Sequence, residues 1–390
     1  SYRGFTCKLL EKINFDDIKS EGYGFFVESI FRVTKATDAV SEFPIHFEDR
    51  RAGTTKISKM EIYRGVTTLF RLLWVRLFTG KEKTGSQENA EIEKFISCEV
   101  CGSNFHTEIY PSTSSQHNSE KYNCTSAHHK SHGRIVKCLE CGLVFTNPRL
   151  PEEKLFDMYS QVVDEIYLDN IPAREATFSH NLKKILHLIP PRGKLLDVGS
   201  YYGIFLRVAK EYGYDAYGVE PSGKAVEVAK ERFGIETLSS TMSALDGWSE
   251  GFDIITSWDV LEHVVHPMKE LSLINEKLQK GGIFAFCTLD YGNWYPRLMK
   301  ERWPWLMDMH IYYFDQRILK HMLERTGFEL IHVESYCHII TFEYFCRKLT
   351  SMRVPGARVL GKIVKHTPLG RIKIPFSFGD IQLFVAKKVS

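Results

Sequence analysis

The clearest hydrophobic pattern in the chain is a strand, a turn, a helix and a second strand in succession. The run 194–198 (KLLDV) is apolar with an acid near its end, which predicts a buried strand, and 199–203 (GSYYG) predicts a turn. Apolar residues recur at helical spacing over 204–212, and a second apolar run over 216–219 ends on Glu220. This succession is half of a nucleotide-binding βαβ unit, in which glycines allow close approach and the strand-terminal carboxylate can accept both ribose hydroxyls.

The rest of the chain after residue 150 continues this alternation of helices and strands. Helical patterns cover 152–159 and 174–188 before the first strand, and 221–233 and 315–326 after it. The further predicted strands are 234–238, 252–258 and 278–286, followed by 328–335 and 380–387 as an antiparallel sixth and seventh strand. A helical insertion is predicted at 341–369, near the substrate mouth. The pattern predicts an α/β domain with a Rossmann-like sheet of seven strands.

Residues 1–85 read as an incomplete domain. They contain a helical pattern at 22–32, an edge strand at 40–47 and a basic loop at 50–56 that could hold a phosphate. The pattern at 62–78 predicts a helix with one apolar stripe and arginines largely opposite it, which could lie on a membrane surface or pack on a missing core. Residues 81–91 are polar and predict a linker.

The composition limits which binding partners and which cellular compartment the sequence predicts. The 390 residues contain 51 Lys or Arg and 48 Asp or Glu, so charge does not indicate a nucleic-acid partner. No apolar run is long enough to span a membrane, and no signal-peptide pattern opens the chain. Nine cysteines suit a reducing compartment, which predicts a cytoplasmic protein with peripheral contact to the membrane face through residues 62–78. The first residue is Ser rather than Met, as expected for a processed product or a piece of a longer protein.

Two C-x-x-C-G motifs are the most specific short signal. Cys98 with Cys101 and Cys138 with Cys141 could supply four thiolates to a structural Zn²⁺ ion, with each glycine allowing a left-handed turn. The long polar stretch between the pairs carries further candidate ligands, which could displace a cysteine: Cys124, His128, His129 and His132. Two redox dithiols are the alternative, although neither pair follows a strand and opens a helix.

Three sequence matches together resemble class I S-adenosylmethionine (SAM) methyltransferases. The form D-x-G-x-x-x-G at 197–203, followed by Glu220, resembles motif I, with Tyr201 at the position of the usual middle glycine. The segments DIITSWDVLEHVVHP and LQKGGIFAFCT resemble the later motifs of ubiquinone-type O-methyltransferases. CLECGLVFTNPRLPEEKLFDMYS resembles the zinc-ribbon lead-in of sugar and natural-product methyltransferases, which implies a ribbon domain at 92–150 and a methyltransferase domain at 151–390.

This resemblance implies roles for individual residues. It implies that seven residues bind the cofactor. Asp197 would orient the methionine amine, Glu220 would hold the ribose and Asp259 would flank the methionyl end. Met242 lies where related enzymes recognise adenine, and the other three positions are Gly199, Tyr201 and Gly203. Arg174 could pair with the SAM carboxylate or be an ordinary surface arginine.

The candidate general bases are two histidines. His310 lies in an aromatic segment that related enzymes turn towards the acceptor, and His263 follows the fourth strand. His263 could instead be a helix-start histidine that bonds locally, and Glu262 could assist or bind a divalent ion with it.

A second resemblance concerns residues 1–85. SEGYGFFVE, EFPIHFEDRRAGTTK and EIYRGVTTLFRLL together resemble the C-terminal third of dolichol-phosphate mannose synthase-type glycosyltransferases. The resemblance implies phosphate contacts by Arg50, Arg51, Thr55 and Lys56. Because no D-x-D occurs in the chain, we expect a truncated tail without catalytic activity.

The leading hypothesis is a SAM-dependent methyltransferase acting on a sugar, a lipid-linked sugar or a small hydroxylated acceptor. One alternative is an NAD(P)-dependent sugar-modifying oxidoreductase or epimerase, whose Y-x-x-x-K motif has a match from Tyr344 to Lys348. The other is a non-catalytic, zinc-containing adaptor attached to a membrane glycosyltransferase.

Overall fold

The chain divides into two units, residues 1–90 and 91–390. The computed structural model describes residues 25, 28–30, 33, 93–114, 131–160, 164–168, 170–245, 251–351, 356–365 and 367–389. The described residues of the first unit are helical. Most of the glycosyltransferase-like tail therefore lies outside the described residues, including its loop residues Arg50, Arg51, Thr55 and Lys56 and the helix predicted at 62–78. The candidate ligands Cys124, His128 and His129 also lie outside them.

The second unit is built from strands and helices that alternate along most of its length. Its strands are β1 (His106–Tyr110), β2 (Ile135–Cys138), β3 (Val144–Thr146), β4 (Lys194–Val198), β5 (Asp215–Glu220), β6 (Leu238–Ser239), β7 (Phe252–Trp258), β8 (Leu278–Leu289), β9 (Tyr312–Tyr313), β10 (Phe328–Ser335), β11 (His338–Thr341), β12 (Lys373–Phe376) and β13 (Ile381–Lys388). Its helices are α1 (Glu152–Ser160), α2 (Glu165–Leu168), α3 (Ile171–Ile185), α4 (Ile204–Glu211), α5 (Gly223–Phe233), α6 (Pro267–Lys277), α7 (Trp294–Met299), α8 (Gln316–Arg325), α9 (Phe342–Ser351) and α10 (Ala357–Lys365).

The main sheet has seven strands in the order β10-β13-β8-β7-β4-β5-β6, which confirms the predicted Rossmann-like sheet. The strands from β4 to β8 run parallel to their neighbours, whereas β13 runs antiparallel to both β8 and β10. Strand order reverses between β4 and β7, and in open α/β sheets the crevice at such a reversal is where ligands bind.

Two apolar cores cover the two faces of this sheet. Leu195 belongs to one core and Leu196 to the other, because successive side chains of a strand point to opposite faces. One core includes Phe178 and Phe205 from α3 and α4, and the other includes Met322 from α8. Burial on both faces explains why β4 reads as a continuous apolar run rather than as an alternating one.

A second sheet joins the cysteine-rich segment to the aromatic segment. Its order is β1-β2-β3-β9, and β3 pairs with β9 through Val144 with Tyr313 and Phe145 with Tyr312. The boundary expected at residue 150 is therefore crossed by a sheet, and both sides belong to one compact unit. The aromatic segment was expected to precede a helix, and its two-residue strand is too short to show any alternation in the sequence.

Two other segments differ from the sequence-based expectation. Of the strand predicted at 234–238, only Leu238 lies in β6, since Gly234 adopts a left-handed conformation that ends α5. The insertion predicted at 341–369 contains two helices, and the hairpin of β11 and β12 flanks them. Tyr344 and Lys348 lie in α9 within this insertion, beyond the strands that form the ligand crevice. No helix in the described part of the chain has the length and apolar character needed to cross a membrane.

One buried carboxylate attaches the aromatic segment to the main sheet. Asp380 Oδ2, next to β13, accepts hydrogen bonds from the indole N–H groups of both Trp303 and Trp305, each at 2.9 Å. Asp380 is buried, and burial raises its pKa above the usual range. The two indoles precede His310, so this carboxylate helps to hold a candidate base in place.

We expect Asp380→Ala to destabilise the second unit, because it leaves two indole donors without their acceptor at a cost of about 1–3 kcal/mol. Thermal unfolding should show a melting temperature several degrees lower. Asp380→Asn is the matched control, since its amide oxygen can still accept, and it should lose clearly less. Equal losses in the two variants would contradict the role given to these hydrogen bonds.

Candidate functional site

The turn after β4 needs glycine at both of its ends. Gly199 and Gly203 have φ angles of 72° and 71°, a region that residues with a side chain rarely adopt. A Cβ atom at Gly199 would lie 2.6 Å from a methyl group of Val260, and one at Gly203 would lie 2.6 Å from a methyl group of Ile235. Tyr201, between them, also has a positive φ of 48°. The turn is therefore tightly packed and its backbone faces the crevice edge of the sheet.

Glu220 lies at the end of β5 and faces this turn. Its carboxylate is fully buried and accepts hydrogen bonds from the backbone N–H groups of Tyr201 at 2.9 Å and Ser222 at 2.8 Å, and from the hydroxyl of Tyr159 at 3.5 Å. Burial raises the pKa of Glu220 to about 7, although the two N–H donors act in the opposite direction. The strand-terminal acid and the glycine turn are thus in direct contact.

Asp197 is the acid within β4, and it lies deeper in the sheet. Its Oδ1 accepts a hydrogen bond of 2.6 Å from the hydroxyl of Thr256 on β7. Burial raises its pKa to about 8, and the charge of Glu220 adds to the increase. Asp197 therefore lies directly beneath the crevice between β4 and β7.

Asp259 follows β7 on the other side of the crevice. Its φ is 55°, and its Oδ1 accepts a hydrogen bond from the thiol of Cys287 at 3.2 Å. Burial raises the pKa of Asp259, while the nearby positive charge of Arg174 acts in the opposite direction. The Arg174 guanidinium stacks over the ring of Tyr167 at 4.5 Å, so Arg174 lies beside the crevice rather than far from it.

Two buried polar atoms near Asp259 have no hydrogen-bond partner. They are the indole Nε1 of Trp258 and the Nε2 of His338. Tyr336 lies between them, with ring centroids 6.0 Å from Trp258 and 5.3 Å from His338. Because folded proteins rarely leave buried polar groups unsatisfied, these atoms mark a position where a ligand would supply the partners. The sequence did not single out His338, which belongs to no motif and comes from the hairpin strand β11.

Part of the chain is similar to known proteins. Residues 172–333 match the family model of a methyltransferase domain. Over residues 172–333, therefore, the chain carries a methyltransferase domain.

The curated relatives are ubiquinone biosynthesis O-methyltransferases. The protein from Cereibacter sphaeroides is 30% identical over 102 residues, which cover 25% of this chain and 41% of that protein. The mitochondrial protein from Schizosaccharomyces pombe is 31% identical over 103 residues, covering 25% of this chain and 38% of that protein. The chain thus spans about two-fifths of the length of these relatives. It is also similar to a solved SAM-dependent methyltransferase of Thermotoga maritima, with a TM-score of 0.41 and 20% identity, covering 60% of this chain and all of that one.

Met242, another predicted cofactor residue, lies in an apolar core beside the main sheet. It begins the 3-10 turn Met242–Ala244 and is buried in the same apolar core as Val198 and Val219, near the ends of β4 and β5. The other predicted cofactor residues line the turn and the strand ends described above. Their assignment to parts of SAM stays a prediction.

The two candidate bases and Glu262 form one cluster. The nearest donor atoms of Glu262, His263 and His310 lie within 4.8 Å of one another. His263 Nδ1 bonds the carbonyl of Met309 and His310 Nδ1 bonds the carbonyl of Trp305, both at 2.7 Å. Since a carbonyl only accepts, each Nδ1 carries the proton, and Nε2 is the basic nitrogen of each ring. His263 therefore bonds to the distant aromatic segment, not locally.

The environment of this cluster sets its protonation. Burial lowers the pKa of His263 to about 4, so this ring is neutral at physiological pH. Burial also raises the pKa of Glu262 to about 8, with a further contribution from the charge of Asp259, and Glu262 accepts a 2.8 Å hydrogen bond from the hydroxyl of Thr288. The two imidazoles beside a carboxyl group could accept a proton from an acceptor or coordinate a divalent ion.

The four cysteines of the C-x-x-C-G motifs are brought together. All four sulfurs lie within 4.8 Å of one another, and the pairs Cys98 with Cys141 and Cys101 with Cys138 are 3.5 Å apart. Ideal tetrahedral coordination at about 2.3 Å would place sulfurs about 3.8 Å apart. His132 lies elsewhere, with its ring bonded to the carbonyl of Gly133 at 2.8 Å.

Each cysteine pair sits in a tight turn with the glycine in a left-handed conformation. The Gly102 and Gly142 N–H groups donate to the carbonyls of Cys98 and Cys138, and the φ angles of the glycines are 75° and 88°. Burial opposes ionisation of the Cys138 thiol, yet the backbone N–H groups of Cys141 and Glu140 lower its pKa to about 7. The donor set and the turns fit a tetrahedral metal site.

The cysteine-rich segment also holds the His310 region in place. Thr146 on β3 donates from its hydroxyl to the carbonyl of His310 and from its N–H to the carbonyl of Ile311. Arg149 donates to the hydroxyl of Tyr312 at 2.8 Å. The candidate base therefore directly precedes a strand that is paired with the cysteine-rich sheet.

We expect the stability of the ligand-free protein to fall as the pH rises from about 5 to about 7. The folded-state pKa of Glu220 is about 7 against an ordinary 4.5, so the folded state binds a proton more tightly in this range, and the difference corresponds to about 3 kcal/mol. Glu220→Gln removes the titration, so its melting temperature should fall less with pH. Glu236→Gln changes an exposed acid and is the control. A Glu220→Gln profile parallel to that of the control would contradict the shift.

Proposed function

We propose that this protein is a methyltransferase that transfers a methyl group from SAM to a hydroxyl of a sugar, a lipid-linked sugar or another small acceptor. The observation that carries the proposal is the contact between the Gly199–Gly203 turn and the buried Glu220 in a domain of this family. The unpartnered Trp258 and His338 atoms near Asp259 support a site that a ligand completes.

The chain's own residues suggest how such a transfer would proceed. Bound SAM supplies a methyl group activated by a positive sulfur. Glu220 would hold the ribose hydroxyls, and Asp259 with Arg174 would bind the charged methionyl end. The walls formed by Trp258 and Tyr336 would exclude water and orient the acceptor for in-line attack.

We infer that His310 accepts the proton of the acceptor hydroxyl. A pKa of about 4 makes His263 a weak base near neutral pH, so His263 is better suited to line the site beside His310, with ring centroids 4.8 Å apart. The hydrogen bond to the Trp305 carbonyl holds His310 in the tautomer whose Nε2 is the basic nitrogen. A divalent ion on Glu262, His263 and His310 is the alternative use of the same cluster.

The hydroxylated acceptor rests on two similarities. The curated relatives are named as O-methyltransferases of ubiquinone biosynthesis, and the match covers 25% of this chain. Residues 1–85 resemble a glycosyltransferase of lipid-phosphate sugars, which favours a sugar or lipid-linked sugar. A cytoplasmic location, with no nucleic-acid partner, belongs to the same proposal.

We further propose that Cys98, Cys101, Cys138 and Cys141 hold a structural Zn²⁺ ion, as in a zinc ribbon. Four cysteine ligands leave no open position, so the ion would act on folding and not on the transfer itself. By stabilising the β1-β2-β3-β9 sheet it would keep His310 in position.

We expect calorimetry to show binding of SAM and of its demethylated product, and no binding of NAD. Glu220→Ala should weaken the affinity for SAM about 10- to 100-fold, since it removes charge-assisted hydrogen bonds. Glu236→Ala is the matched control and should bind as the parent protein does. Binding of NAD alone would support the oxidoreductase alternative, and binding of neither would support the adaptor.

We expect the purified protein to contain one zinc ion per chain by mass spectrometry of the metal. Cys98→Ser should lose the ion and lower the melting temperature, because structural zinc contributes directly to folding free energy. Cys337→Ser, outside the cluster, should retain both. A second ion that Glu262→Gln abolishes would assign the histidine cluster to metal binding, whereas a zinc-free native protein would refute the ribbon proposal.

A further inference from the structure

The insertion between β10 and β13 has an unusual charge. Residues 344–379 contain eight Lys or Arg and no Asp or Glu, in a chain whose basic and acidic residues are otherwise close to balance. The methyltransferase site does not use these cations. They lie mainly on α9, on α10 and on the 3-10 turn Pro368–Arg371 that follows.

α10 packs on α9 through one face only. Val364 is buried, and a Cβ atom at Gly361 would lie 3.8 Å from the Cβ of Cys346 on α9. On another face Val359 and Ile363, one helical turn apart, are 63% and 58% exposed. A soluble helix normally buries its aliphatic stripe, so this one has a second apolar face without a described partner.

The basic residues of α10 flank that apolar face. Arg358, Lys362 and Lys365 recur at helical spacing and are all exposed. None of them forms an ion pair with a described residue, since the ion pairs of the described chain involve other groups. Their positive charges therefore face the solvent.

The turn after α10 adds further exposed aliphatic and basic side chains next to the end of that helix. A Cβ atom at Gly370 would lie 2.8 Å from the carbonyl oxygen of Val364, so the turn is packed on the end of the helix. It exposes Leu369 and Ile372, which are about half exposed, beside the exposed cations Arg371 and Lys373. We call the whole surface the basic aliphatic face; its members are Arg358, Val359, Leu360, Lys362, Ile363, Lys365, Leu369, Arg371, Ile372 and Lys373.

We propose that the basic aliphatic face docks the protein on an anionic phospholipid bilayer. Such a surface offers hydrocarbon for the aliphatic side chains and negative headgroups for the cations within the same few ångströms. The absence of any acid from residues 344–379 matches an anionic lipid surface better than a second copy of the same face, which would repel it.

This docking surface is separate from the sequence-predicted helix at 62–78, and the proposal holds whether or not the domain transfers methyl groups. It also has a geometric consequence for the site. β11, which carries His338, leads directly into α9 of the insertion. A bilayer under the insertion would therefore lie on the side of the domain from which the hairpin approaches the crevice.

The test is sedimentation of the full chain with vesicles of phosphatidylcholine alone and of phosphatidylcholine with one-third phosphatidylglycerol. We expect at least about tenfold tighter binding to the anionic vesicles, weakened by high salt. The double variant Val359→Asp with Ile363→Asp should reduce binding about tenfold or more, as should Lys362→Glu with Lys365→Glu, whose positions are too exposed to disturb folding.

Matched controls make the same changes elsewhere on the surface. Leu238→Asp alters an exposed aliphatic residue, and Lys230→Glu with Lys280→Glu reverses two exposed cations. The controls should bind as the parent protein does. Equal binding to both kinds of vesicle would overturn the proposal. Unchanged binding by both face variants would also overturn it, because another segment, such as 62–78, would then be the one that binds. A dimer in sedimentation velocity that the face variants dissociate would also overturn it and make the face a protein interface.

Discussion

The burial of acid groups at one edge of the sheet is the constraint on which this structure depends. Asp197, Glu220 and Glu262 are each almost fully enclosed, and burial raises the pKa of each into or above the neutral range. An enclosed carboxylate is tolerated only where donors face it. The donors here are backbone N–H groups of the turn and of the residues after β5, and hydroxyls on neighbouring strands. The shape of the glycine turn follows from this requirement as much as from any ligand.

The second organising contact is the pairing of β3 with β9. It draws the cysteine-rich segment and the aromatic segment of the methyltransferase domain into one sheet, and the Thr146 and Arg149 hydrogen bonds reinforce it. Asp380 fixes the other end of the aromatic segment through its two tryptophans. His310 lies between these two attachments. The loop that carries His310 is thereby attached on both sides of this residue.

Much of the fold was readable from the sequence because its signals are local. The bounds predicted for β7 and β10 agree with the structure, since apolar runs between polar turns mark buried strands directly. The grouping of the four cysteines was also predicted, because paired spacing carries its own geometry. The predicted cofactor residues Asp197, Gly199 and Glu220 lie together for the same reason, as parts of one strand–turn–helix–strand unit.

The features that could not be predicted arise from contacts between distant residues. β9 is two residues long and exists only because β3 lies beside it. His338 reaches the crevice from a hairpin whose partner strand begins 32 residues after β11 ends, and no periodicity in the sequence indicates that pairing. The sequence likewise does not indicate that Trp303 and Trp305 share Asp380 as their hydrogen-bond acceptor, because that contact exists only in the folded chain. Roles of site residues within a motif are thus easier to predict than the walls that complete the pocket.

The sheet that spans the two segments also limits how such a protein could be assembled in evolution. If the cysteine-rich segment were lost or exchanged for another, β9 would lose β3, the described strand that it pairs with. The rings of Phe145 and Tyr312 would then no longer pack against each other. The two segments must therefore be inherited as a block, and their sequences should change in a coordinated way along the shared seam.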